Sequence, residues 1–269
     1  MATASRHDAW AAGDSYDAYM GRWSRPIAGR FVDWLDMPEG LAWLELGCGT
    51  GALTEAILRR SAHAHVLALD PSEGFLAKAR KNVHDPRVEF RLGSAADLAS
   101  LPRACCDVAV AGLVLNFIPD RVPALRELKR IVRPGGTVGF YVWDYPGGGI
   151  AFMRAFWTAA VALDPVAREL AEDRRFPFCT REGLAALVEE AGLPAPEIAA
   201  IESPSIFRNF DDYWTPFTLG AGPAPGYCAS LAPDARERLR ARLSESLPRQ
   251  SNDTIALNTR AWAVKTQVA

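Results

Sequence analysis

The sequence predicts an α/β protein with a mostly parallel sheet and helices on both faces. Three observations predict it. Short apolar runs alternate with stretches of helical apolar spacing, the pattern of strand–helix–strand crossovers. The first run, Leu41 to Leu46, ends in glycines at every second position, Gly47, Gly49 and Gly51, and helical spacing follows over Ala52 to Leu58. The second run, Val66 to Leu69, ends in an acid, Asp70, about 20 residues after the glycines, the offset at which such folds place a sugar-binding carboxylate.

The 269 residues suffice for one large α/β domain or a domain with a cap. Hydrophobic residues make up 49%, charged residues 23%, and the net charge is −2, with no long basic run. Phosphate binding needs a basic footprint, so nucleic acid is not expected as a partner. No apolar stretch approaches a membrane span, and the first residues lack the apolar core of a signal peptide. A cytoplasmic location is expected. Cys48, Cys105, Cys106, Cys179 and Cys228 show no metal-ligand spacing, so reduced thiols and no metal site are expected. His63 and His65 alternate like strand residues and are read as surface positions.

Residues 9–36 read as helical and aromatic-rich. Ser24-Arg25-Pro26 marks a boundary with Pro26 at the first helical position. Ile27, Phe31, Trp34 and Leu35 then form one apolar stripe. Next comes the Trp43-Leu44-Glu45-Leu46 strand and its glycine turn. Glycine tolerates positive φ and has no Cβ, so the chain can curl and a ligand can come close. This turn resembles motif I of the class I S-adenosylmethionine-dependent methyltransferases (type 11/25-like). Gly47-x-Gly49-x-x-Ala52 also satisfies the dinucleotide fingerprint, so S-adenosyl-L-methionine and NAD both stand at this point. The resemblance places Glu45, Gly47, Cys48, Gly49 and Gly51 under or beside the cofactor. It also implies that the N-terminal segment, through Tyr16, Tyr19, Met20 or Trp23, folds over it as a helical lid spanning residues 1–36.

Asp70 is placed to accept both ribose hydroxyls, with Pro71 and the helix N-cap Ser72 beside it. Val88 to Gly93 is the third strand. The following Ser94-Ala95-Ala96-Asp97 resembles the family's G-D-A segment, whose acid meets the adenine amino group. Ser94 stands where that acid is usual and Asp97 lies further on, so either can make the contact, with the Ala95–Ala96 backbone lining the base. Asp107 to Asn116 is a near-continuous apolar strand and its exit, covered on both faces. Its end, including Leu113, should meet cofactor and substrate. Asn116 stands where the family often carries His. An amide cannot serve as a general base, though it can hydrogen-bond.

Val122 to Val132 reads as a helix, followed by Arg133-Pro134-Gly135-Gly136 and a strand to Trp143. Leu128 to Gly136 closely resembles the family's motif III region, which dinucleotide-binding dehydrogenases do not usually carry. Together these motifs imply a Rossmann-like seven-stranded sheet of order 3-2-1-4-5-7-6 within a single methyltransferase domain spanning residues 1–269.

Further along, residues 150–175 read as helical, Thr180 caps a helix from Arg181 to Ala191, and residues 197–207 form a strand. The stretch after Phe217 through Gly226 reads as a loop, Pro233 to Leu247 as a helix, and Thr254 to Thr266 as the last strand. Residues 145–180 and 208–232 would be inserts forming a substrate cap. Their aromatics Trp157, Phe176, Phe178, Tyr213, Trp214 and Phe217 are either pocket lining or a small core. The implied enzyme methylates a small-molecule acceptor by in-line displacement. Tyr19, Asn116, Asp144 and Tyr145 are the candidates to assist the acceptor, and Trp143 could face the sulfonium. An NAD-dependent oxidoreductase and a non-catalytic S-adenosylmethionine-binding protein are the alternatives.

Overall fold

The structure is a computed structural model and describes residues 20–220 and 222–269. The candidates Tyr16 and Tyr19, and most of the expected lid, lie outside the described residues. The chain divides into two compact units. One comprises Ser24–Trp143, Phe178–Ile201 and Ala261–Ala269, and the other residues 20–23, Asp144–Pro177 and Glu202–Arg260.

Seven strands form one sheet of order β3-β2-β1-β4-β5-β7-β6. They are β1 Ala42–Leu46, β2 His65–Asp70, β3 Val88–Leu92, β4 Cys106–Gly112, β5 Val132–Trp143, β6 Glu197–Phe207 and β7 Ile255–Gln267. The first five pair in parallel, and β7 runs antiparallel to β5, with Tyr141 opposite Ala263. This is the expected order. Central β1 and β4 are buried almost throughout, as a sheet covered on both faces requires. The covering helices of the first unit are α1 Arg22–Leu35, α2 Ala52–Arg60, α3 Glu73–Asn82 and α4 Arg121–Ile131. On α1 the fully buried Ile27, Phe31 and Leu35 form the stripe. A Cβ on Gly139 of β5 would lie 3.0 Å from Leu35 and 3.3 Å from Phe31, so the missing side chain there lets α1 sit close to the sheet.

Three expectations are corrected, and proline explains each. Helix α1 begins at Arg22, after a π turn at Met20–Gly21, and Pro26 lies inside it. Its missing N–H removes one bond from the first turns of the ladder, which the helix survives. The stretch read as one helix over 150–175 is three elements: α5 Ala151–Leu163, a 3₁₀ turn Pro165–Leu170 and α6 Glu172–Arg175. Pro165 biases Asp164 out of the helical region, and Asp164 instead caps the next turn by accepting from Val166 N at 3.1 Å. The expected loop after Phe217, over 218–226, is partly helical. Past α7 Arg181–Glu190 and α8 Phe210–Trp214 come a 3₁₀ turn Thr215–Thr218 and α9 Pro223–Ser230. Pro223 opens α9 at its first helical position, where its N–H would lack a partner anyway.

The second unit is organised by aromatic rings. Trp23 packs on Phe152 and Phe207, Phe207 on Tyr213, Tyr213 on Phe217, and Phe217 stacks on Phe156 at 4.4 Å. The fully buried Tyr213 hydroxyl donates to Phe152 O at 2.8 Å, satisfying its one polar atom. Tyr213 and Phe217 are therefore core residues. The last helix, α10 Pro233–Ser246, buries Leu239 and Leu243. Among the described residues no helix is long and apolar enough to cross a membrane, and no metal-binding cluster occurs.

Candidate cofactor and active site

The turn after β1 is left-handed at three glycines, with φ of +73 at Gly47, +55 at Gly49 and +89 at Gly51. Gly47 N and Cys48 N both donate to Leu69 O, at 2.8 and 2.9 Å, which ties the turn to the end of β2. A Cβ on Gly47 would lie 2.5 Å from Val114 Cγ2, whereas one on Gly49 would meet nothing among the described residues within 4 Å. Gly47 is thus needed for packing, and among the described residues nothing crowds Gly49, so a ligand can approach its backbone.

Asp70 closes β2 and is only 5% exposed. Its Oδ2 accepts from Gly49 N and its Oδ1 from Ser72 N, both at 2.9 Å. Burial pushes its pKa up, and these two N–H groups pull it part of the way back. An ionised carboxylate has about four lone-pair sites, so hydroxyl donors can still be accepted. Ser72 caps α3 by accepting from Phe75 N at 3.3 Å. Beneath the turn, Glu45 accepts from the Thr54 hydroxyl at 2.5 Å. Full burial, with the nearby Asp70 charge, raises the Glu45 pKa to about 8 despite that bond. The acid under the turn is therefore mostly protonated at neutral pH. Cys48 is buried, and its thiol is held well above the usual range by burial and by the charges of Glu45 and Asp70.

A cleft of about 600 Å³ runs along the C-terminal ends of β1 to β4. Leu46, Gly47 and Pro71 line it from β1 and β2, and Ser94, Ala95 and Ala96 from beyond β3. Val114 and Phe117 through Asp120 line it from beyond β4. The volume lies in the range of small-molecule sites, and the position is where ligands collect in open parallel sheets. Of the sequence candidates, Gly47, Pro71 and Ser94–Ala96 come together on its wall. Asp97 takes another part: its Oδ2 accepts from Ser94 N at 2.7 Å and Ser94 Oγ at 2.8 Å in a capping box. These bonds hold its pKa below the usual carboxylate range. Val114, Phe117, Ile118 and Pro119 form an apolar wall to which the sequence assigns no binding role. The apolar residues after the fourth strand were its only signal.

Leu113 holds φ +57, sparsely populated for a residue with a side chain, and its N–H donates to Tyr141 O at 2.8 Å. Strain of this kind gathers at ligand sites, and it sits here where β4 turns toward the cleft. Asn116, in the short 3₁₀ turn Leu115–Phe117, is buried. In the second unit, Met20 and Trp23 are buried, and the Arg22 guanidinium lies 4.4 Å over the Trp23 ring. Trp143 is buried at the end of β5, opposite Ala261. Asp144 accepts from Arg260 Nε at 2.7 Å, from Arg260 Nη2 and from Gly147 N at 2.9 Å.

Tyr145 packs on Phe176 at 5.3 Å and, with Trp157 and Glu172, lines a second cavity of about 470 Å³ within the same unit. Glu172 is buried and accepts from Trp157 Nε1 at 2.5 Å. Burial raises its pKa to about 7, against the smaller opposing effects of hydrogen bonds and Arg175. A carboxyl whose folded pKa lies above its unfolded value stabilises below the unfolded pKa, and that stability is lost as pH rises through the folded one. Stability should therefore fall between about pH 4.5 and 7. Glu172→Gln, which keeps the acceptor but cannot ionise, should flatten that decline by on the order of 3 kcal/mol in urea melts across the window. An unchanged slope would show that Glu172 ionises without cost.

Glycines that bare the backbone, a buried acid with acceptor capacity at the end of β2, and an apolar slot beyond β3 and β4 define a nucleoside-binding α/β enzyme. A family model described as a methyltransferase domain matches residues 44–140. The chain is 33% identical over 171 residues to a 2-phytyl-1,4-naphtoquinone methyltransferase of Thermosynechococcus vestitus, covering 60% of this chain and 76% of the relative. It is 30% identical over 184 residues to a ubiquinone biosynthesis O-methyltransferase of Pseudomonas aeruginosa, covering 66% and 77%. A phosphoethanolamine N-methyltransferase 2 of Haemonchus contortus shares the fold, with a TM-score of 0.58 at 16% identity over 96% of this chain and 57% of that one. The chain belongs to the S-adenosylmethionine-dependent methyltransferases. S-adenosylmethionine is therefore its cofactor, and the dinucleotide alternative falls away.

Proposed function

We propose that the chain methylates a small-molecule acceptor by in-line displacement, with the cleft along β1 to β4 holding the adenosyl part of the donor. The observation that carries this reading is Asp70, buried at the turn and aimed at Gly49. When bound, S-adenosylmethionine supplies a methyl carbon already activated by its sulfonium. The chain's own residues bind and orient. Asp70 accepts from the ribose hydroxyls, the bare backbone at Gly47 and Gly49 passes beneath the amino-acid part, and Ser94–Ala96 with Phe117 flank the base. Orientation and exclusion of water can contribute ~7–11 kcal/mol, so a strong general base is not required. The names of the two curated relatives point to quinone-type rings as the first acceptors to try.

Asp70→Asn tests the donor site. Asparagine keeps the size but has one acceptor oxygen for two backbone N–H groups, and it carries no charge. S-adenosylhomocysteine affinity should fall by about 1.5–3 kcal/mol, or roughly 10- to 150-fold. Titration calorimetry on wild type and variant reads this directly. Equal affinities would remove Asp70 from the site.

A further inference from the structure

Resting on that reading, we infer that Asn116 and Arg121 form an anchoring site for an anionic oxygen, carboxylate or phenolate, on the methyl acceptor. Asn116 is 2% exposed, and among the described residues neither its Nδ2 nor its Oδ1 has a hydrogen-bond partner. A buried amide left this way costs about 1–3 kcal/mol per group, so native structures pair such atoms with protein, water or ligand. Arg121, the first residue of α4, repeats the pattern. Among the described residues its buried Nε has no partner, and no carboxylate pairs with it.

What Arg121 does contact holds it in place without neutralising it. Its Nη2 donates to Asn116 O at 3.2 Å, tying the guanidinium to the backbone of the residue that carries the orphaned amide. Its guanidinium carbon lies 4.2 Å from the centroid of the Phe178 ring, which leaves the edge donors directed elsewhere. Burial pulls its pKa down from the ordinary guanidinium value, against a smaller opposing effect of the Cys179 thiol. A planar, oriented arginine with unused donors is the side chain best suited to grip an oxyanion. The Asn116 amide adds a donor for the same oxygen and an acceptor for a neighbouring hydroxyl. Both residues follow β4, whose exit also supplies Val114 and Phe117 to the cleft.

The test is a calorimetric titration of the full chain, with and without S-adenosylhomocysteine, using three probes: 4-hydroxybenzoate, 4-nitrophenolate and 4-hydroxybenzamide. The benzoate and the amide are close in shape and differ in charge. At least one anion should bind tenfold or more tighter than the amide, and which one binds separates the carboxylate from the phenolate source. Arg121→Met and Asn116→Asp should each collapse that preference to within about twofold, and Arg121→Lys should keep part of it. A merely structural role would weaken charged and neutral probes alike. Melting curves identify a variant that fails to fold, and Arg121→Lys and Asn116→Asp keep the shape of the site. The inference is overturned if neither anion outbinds the amide up to millimolar concentration, or if the preference survives both substitutions. Failure of wild type to bind S-adenosylhomocysteine would overturn the donor-site reading instead, and the titration without it would still decide the anion site.

Discussion

Gly47→Ala is expected to lower S-adenosylhomocysteine affinity at least 100-fold and to destabilise the fold by about 2–4 kcal/mol. Two effects add. A non-glycine residue at φ +73 costs roughly 1–2 kcal/mol. The new methyl would also lie 2.5 Å from Val114 Cγ2 and 2.8 Å from its Cβ. The turn cannot retreat easily, because Gly47 N and Cys48 N both donate to Leu69 O. Val114 must move instead, and Val114 is part of the cleft wall. At ~2–4 °C per kcal/mol for a chain somewhat shorter than this one, the melting temperature should drop by several degrees. Gly49→Ala separates the two effects. Its Cβ would meet nothing among the described residues within 4 Å, so the φ +55 strain is what threatens the fold while the methyl enters the ligand's space. A Gly49→Ala protein with modest destabilisation and lost binding, beside a Gly47→Ala protein with both losses, is the expected pair of results. Calorimetric titration and thermal melting check them.

Arg260→Ala is expected to destabilise the chain by about 3 kcal/mol. Asp144 is 2% exposed, and Arg260 Nε and Nη2 both donate to its Oδ2. Removing one partner of a buried pair typically costs 3–5 kcal/mol, because a charge is left buried and uncompensated. The lower end applies because the Arg260 side chain is 34% exposed and water can partly replace it. After truncation Asp144 Oδ1 keeps the Gly147 N–H, which reaches only one of its two oxygens. Urea denaturation gives the number, and Asp144→Ala combined with Arg260→Ala should recover part of the loss, since no buried charge then remains. A loss below 1 kcal/mol would mean that the pair behaves as a surface contact. The same pairing commits Asp144 Oδ2 to Arg260 and its Oδ1 to Gly147 N.

Much of the fold could be read from residues whose spacing has a local cause. The runs at Trp43–Leu46 and Val108–Ala111 are continuous because both faces of these strands are covered, and the glycines punctuate β1 because the turn needs positive φ. The order of the strands came from resemblance, not from periodicity. The misreadings concern chemistry with two local meanings. Pro26 reads as a helix start yet lies within a helix, Pro165 is read through as helix yet opens a new turn, and Pro223 falls in an expected loop yet opens a helix. Ser94 and Asp97 read as rivals for adenine, although their spacing is also that of a capping box, which is how they are joined. Val114 over Gly47, and Phe178 under Arg121, are contacts between distant parts of the chain that no local pattern announces.

The central claim is the placement of the donor, and a crystal structure with S-adenosylhomocysteine tests it most directly. The account predicts both ribose hydroxyls within hydrogen-bond distance of the Asp70 carboxylate, the amino-acid part against the Gly47–Gly49 backbone, and adenine beside Ser94–Ala96. Density for the nucleoside anywhere else, with the Asp70 carboxylate bonded only to Gly49 N and Ser72 N, would contradict it.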